Sequence, residues 1–107
     1  TYFTNHYSVE DKSPKSRAFV EAYQKEYGQQ PDAMAVLGYD AAYALVDAIK
    51  RAGSAEPQKI RDALAATKNF PAVTGDLTLN EKHDAVKSAV IIEMKDGKQL
   101  YRETIKP

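Results

Sequence analysis

The chain has 107 residues, 43 % hydrophobic and 28 % charged, the length and composition of one globular domain. Fifteen basic and fifteen acidic side chains cancel, and because they are interspersed no basic stripe is left to neutralise a phosphate backbone, so nucleic acid is excluded as a partner. The absence of cysteine excludes a disulfide framework and a thiolate metal site, without choosing a compartment.

The sequence opens at Thr1 with no methionine, charged n-region or apolar h-region, and the expectation is a processed chain or an excised fragment. Thr1 to Ser8, TYFTNHYS, is rich in β-branched and aromatic residues and predicts a short strand, with Asn5 to Ser8 turning out of it. Ser13 followed by Pro14 opens a helix, since serine caps free N–H groups and proline tolerates the first helical position. That helix should run to about Tyr27 and stop at Gly28. Phe19, Ala22, Tyr23 and Tyr27 form its apolar seam.

The stretch Ala33 to Gly53, AMAVLGYDAAYALVDAIKRAG, is the part the rest must accommodate. Its apolar residues recur on a helical period but occupy much more than one face. Asp40, Asp47 and Arg51 stack on one narrow stripe, so the rest of the cylinder is expected to be covered by other structure. An alternative makes Met34 to Leu37 a short buried strand broken at Gly38. A membrane span is excluded, because a bilayer needs about 20 predominantly apolar residues in a row and two aspartates interrupt a shorter run. Lys50 and Arg51 in the last turn and Gly53 beyond it specify the helix end.

Ser54 to Thr67 predicts a third helix with Pro57 in its first turn and Ile60, Ala63 and Leu64 facing inward. Phe70 to Gly75 reads as a loop, Leu77 and Leu79 as a half-buried strand, and Asn80 to Asp84 as a polar turn. Val86 to Lys95 then reads as one strand with Val86, Val90, Ile92 and Met94 on one side, and Ala89 and Ile91 making the other side apolar as well. Asp96-Gly97 is a type I′ hairpin signal, and counting back pairs Ile92 with Tyr101 and Met94 with Gln99. No repeat or linker divides residues 1–107; the class is α/β, ordered strand, three helices, strands.

Catalytic chemistry lacks its parts: there is no G-x-S-x-G elbow, cysteine nucleophile, P-loop or G-x-G-x-x-G. Asn80, Glu81, His83 and Asp84 form the densest polar cluster, but no spacing there fixes metal geometry and the cluster reads as a solvated turn. No cofactor or metal is called for. His6 reads as a histidine making one hydrogen bond. Tyr7 and Tyr39 each lie at the end or start of an element, and tyrosine offers an apolar face with a polar tip suited to a small-molecule cleft; core packing is the competing explanation. Asp40 is explained by the positive end of its helix.

The collinear pieces YFTNHYS, SPKSRAFVEAYQKEYGQQPDA, LGYDAAYALVDAIKRAGS, EPQKIRDALAATKNF and VTGDLTLNEKHDAVKSAVIIEMKDGK cover almost the whole chain. Together they resemble the C-terminal portion of the leucine-binding-protein-like solute receptors, the type I periplasmic binding proteins of branched-chain amino-acid ABC importers. The resemblance implies a two-lobed α/β fold closing like a hinge on a small ligand, of which this chain is the last third: helices of the first lobe plus hinge and hairpin strands. It implies an extracytoplasmic receptor for an amino acid or similar small carboxylate, an ABC permease as partner, no enzymatic activity, and Tyr39 and Tyr7 as cleft-lining residues. One departure is His83, where relatives commonly carry glycine, which bears on local turn geometry. A sensory receptor domain of the same fold, and a self-associating structural module without ligand, are the alternatives.

Overall fold

The computed structural model describes residues 1–107, and its helices start and stop where local chemistry dictates. Helix α1, Pro14–Tyr27, begins at Ser13, whose side chain accepts the Ser16 N–H, and ends at Gly28, left-handed at φ 70. Helix α2, Ala33–Ala52, begins at Asp32, whose carboxylate accepts the Ala35 N–H at 2.8 Å, and ends at left-handed Gly53. That aspartate cap settles the alternative over Met34 to Leu37: the segment is helix, not strand. Helix α3, Pro57–Ala65, carries proline in its first turn.

Six strands form two antiparallel sheets: β1 (Tyr2–Asn5), β5 (Ala89–Lys95) and β6 (Lys98–Ile105) in the order β1-β5-β6, and β2 (Phe70–Ala72), β3 (Gly75–Leu79) and β4 (Ala85–Val86) in the order β2-β3-β4. The β5–β6 hairpin has the counted register, Ile92 opposite Tyr101 and Met94 opposite Gln99. Asp96 and Gly97 both have positive φ, 52 and 74, as a type I′ turn demands. A bulge follows: Ile91 pairs with Glu103 while Ile92 pairs with Tyr101, leaving Arg102 extra.

Two strand expectations are corrected. Phe70 to Ala72 is a strand and not a loop; β2 lies at a sheet edge, where proline's missing N–H is tolerated. The single strand expected over Val86 to Lys95 is two, β4 and β5, in different sheets and separated by Lys87 and Ser88. Side-chain alternation continues across such a transfer, so the pattern alone does not reveal it.

The face that α2 packs is also not the expected one. Val36, Asp40, Ala44 and Ala48 are buried, whereas Met34 is 72 % exposed and Tyr43, Leu45 and Val46 are exposed as well. The stripe carrying Asp40 and Arg51 is the one that meets the rest of the chain. Arg51 donates to Asp47 Oδ2, the Ala63 carbonyl and Thr67 Oγ1, clamping α2 to the end of α3. The apolar faces stay uncovered because these residues contain too little structure to cover them. No helix is long and apolar enough to cross a membrane.

The main core joins Tyr7, Phe19, Val20, Val36 and Val73. In the first sheet Val90 and Ile92 are buried. The molecule is elongated, 50 × 31 × 19 Å. Its two sheets are linked by two chain segments, one leading from β1 into α1 and one from β4 into β5.

Candidate functional site

Around the middle of the molecule, the turn between β2 and β3 points two successive N–H groups at α2. Asp40, only 5 % exposed, takes both: Oδ1 accepts from Val73 N at 2.8 Å, and Oδ2 from Thr74 N at 3.1 Å and Thr74 Oγ1 at 2.7 Å. A buried carboxylate is tolerated when such donors satisfy its lone pairs. Gly75, at φ 115, lets the chain turn immediately afterwards. Asp40 lies about two turns into α2, beyond the first-turn N–H groups, so holding the Val73-Thr74 backbone replaces the helix-end role read from its position. The GYDA and VTG stretches are thus two halves of one contact.

Lys87 adjoins this node, its Nζ donating to Thr74 Oγ1. Burial pushes its ammonium below the usual lysine range, and the charge of Asp40 works against that shift. On the other side of the turn Lys15 Nζ donates to the Pro71 carbonyl. Neither lysine was singled out from sequence.

Tyr39 sits next to Asp40 on α2, 39 % exposed. Its ring contacts Phe19 (centroids 4.7 Å apart) and Tyr43 (4.6 Å), and Phe19 continues through Tyr23 (5.8 Å) to Tyr27, 4.7 Å further. An unbroken row of tilted rings therefore crosses from α2 to α1. Hydrogen bonding with Tyr43, then burial, holds the Tyr39 phenol above its usual range. With Ala22, Tyr43 and Phe70, Tyr39 lines an apolar cleft of about 520 Å³.

Tyr7 occupies different ground. It is 5 % exposed, and its hydroxyl donates to the Pro31 carbonyl at 2.8 Å. Burial pushes its phenol up to about 12, with Arg17 opposing the shift. It lines a wider cleft of about 1010 Å³ between the two sheets, together with His6, Thr74, Ser88 and Val90. The two tyrosines do not share a cleft. Their clefts meet at Lys15, Pro71, Ala72 and Val73.

The Asn80 to Asp84 segment is a self-contained turn, with Asn80 Oδ1 accepting the Lys82 and Asp84 N–H groups, both at 2.9 Å. His83 there adopts φ 68, a conformation glycine takes without strain. Nowhere do three His, Cys, Asp or Glu side chains converge to hold a metal. What the clefts offer is noncovalent: aromatic walls, backbone groups and a few hydroxyls and ammonium groups.

A profile of the family described as periplasmic binding protein matches residues 1–99. The leucine-, isoleucine-, valine-, threonine- and alanine-binding protein of Pseudomonas aeruginosa is 36 % identical over 75 residues, which are 69 % of this chain and 20 % of that protein. The crystal structure of a leucine binding protein from Thermotoga maritima superposes with a TM-score of 0.86 at 40 % identity, over 99 % of this chain and 31 % of that one. An ABC-transporter solute binding protein from R. palustris in complex with benzoate gives 0.84 at 27 % identity, again over 99 % of this chain and 30 % of its own. The chain thus spans about a fifth of the curated relative and under a third of the solved structures. It belongs to the periplasmic binding protein family and is leucine-binding-protein-like in sequence and fold.

Proposed function

We propose that this chain is part of an extracytoplasmic solute-binding protein that captures an amino acid or similar small carboxylate between two lobes and presents it to an ABC permease. The observation that carries the reading is the match to the family over residues 1–99, in a chain whose two sheets are joined by only two connecting segments. Such connections are what a hinge-closing receptor needs. The helices and the second sheet are assigned to one lobe, and the crossing into β5 leads toward the other. Tyr39 is proposed to line the ligand cleft with its half-exposed ring, and Tyr7 to form part of the wall between the sheets. Calorimetric titration of the two-lobed protein with L-leucine, L-alanine and benzoate tests this: saturable one-to-one binding of any of them supports it, and heats of dilution throughout speak against it.

Self-association of the isolated 107-residue chain is a second reading, favoured by exposed Met34, Tyr43, Leu45 and Val46 on one helix. Light scattering over a dilution series reads it directly, as a mass that falls toward the monomer on dilution.

A further inference from the structure

The two connections between the sheets are held very differently. The first, from His6 to Ser13, is pinned along its length: Tyr7 donates to Pro31, Arg17 donates to the Asp11 carbonyl at 3.0 Å and to the Val9 carbonyl, and Glu10 accepts the Tyr101 N–H at 2.6 Å. The second consists of Lys87 and Ser88 alone. Its one side-chain hydrogen bond is from Lys87 Nζ to Thr74 Oγ1, the hydroxyl whose proton goes to buried Asp40. Ser88 passes over Gly75 closely enough that a Cβ there would lie 3.8 Å from its side chain.

Asp40 already has three donors from Val73 and Thr74, so it does not require Lys87 as a hydrogen-bond partner. What the lysine adds is a directional tie from the crossing segment to the helical body. We propose that Lys87 is a positioning residue: by bonding Thr74 it fixes the β4–β5 crossing against the Asp40 node and sets how the first sheet is carried relative to the helices. This deepens the receptor reading and rests on it for its functional meaning, since the orientation it sets is the one that lobe closure must change. Being a single hydrogen bond, from a half-buried ammonium to a buried hydroxyl, the tie biases one arrangement of the sheets without locking it. The half-buried ammonium, shifted below the usual lysine range by desolvation, is consistent with a group retained for geometry at some cost.

Residues 1–107 contribute no cysteine of their own, and any cysteine in the rest of the two-lobed protein is first replaced by serine. In the two-lobed protein, spin labels at Glu81→Cys in the β3–β4 turn and Lys98→Cys at the β5–β6 hairpin, both exposed positions, report the distance between the sheets by double electron–electron resonance. Without ligand, Lys87→Met is expected to broaden the distance distribution relative to the unsubstituted protein, and Lys87→Arg to restore its width. Thr74→Val removes the same acceptor, along with the hydroxyl's own bond to Asp40, and keeps the two backbone N–H bonds to that carboxylate, so it serves if Lys87→Met does not fold, with at least the same broadening expected. A Lys87→Met or Thr74→Val distribution that superimposes on the unsubstituted one overturns the proposal. Adding L-leucine reads the receptor function separately: a Lys87 effect with no leucine response in any variant would support the tie while contradicting leucine capture.

Discussion

Asp40 accepts the Val73 backbone N–H at 2.8 Å across 33 residues of sequence, so one side chain fixes the turn that carries both clefts to the longest helix. Hydrogen bonds to a charged group contribute about 1.5–3 kcal/mol each, and orphaned buried donors add a penalty. Asp40→Ala is therefore expected to cost about 2–4 kcal/mol in urea unfolding. Asp40→Asn keeps one acceptor and should lose less. Equal stability of the alanine variant and the parent would contradict the role assigned to the node.

At the hairpin, Gly97 has φ 74, a region that costs a side-chain-bearing residue about 1–2 kcal/mol, more for a β-branched one. Gly97→Val should lower unfolding stability by at least that amount and loosen the Ile92–Tyr101 pairing. A variant with parental stability would show that the turn does not anchor the register.

Tyr7 gives a pH signature. Its phenol is raised from 10.0 to about 12, so the folded state keeps the proton after the unfolded chain has lost it. The stabilisation is complete below pH 10 and is lost as pH rises from 10 through 12. Tyr7→Phe removes that share of the alkaline loss, and at neutral pH it is expected to cost about 1 kcal/mol for the hydrogen bond to Pro31. Parallel stability profiles for the two proteins above pH 10 would contradict this.

Tyr39→Ala in the two-lobed protein is expected to weaken ligand binding by about 1–2 kcal/mol, the scale of a lost aromatic contact, or roughly five- to thirty-fold. Because the ring also contacts Phe19 and Tyr43, a small stability loss accompanies it. Unaltered calorimetric affinity would remove Tyr39 from the cleft wall.

Local chemistry made much of the fold legible. Ser13-Pro14, Gly28, Gly53 and Asp96-Gly97 each signal a backbone geometry that few other residues supply, and α1, the end of α2 and the hairpin register follow from them. Tertiary choices were hidden. Alternation across Val86 to Lys95 is indifferent to which sheet supplies the partner strand, so the break at Lys87 and Ser88 left no trace in the pattern. The apolar period of α2 signalled a helix, but not that Asp40 would lie on the buried side while Met34 faced outward. Of the candidate site, Tyr39 stands out in the sequence as lying at the start of an element, whereas it lies inside α2; Thr74 and Lys87 do not stand out, because their role exists only once the turn meets α2.

The most direct test of the receptor account is small-angle X-ray scattering of the two-lobed protein with and without saturating amounts of the ligand identified by calorimetry. The account predicts one-to-one binding accompanied by a smaller radius of gyration, as the lobes close about the crossing segments. Binding that leaves the radius of gyration and the scattering profile unchanged would contradict it.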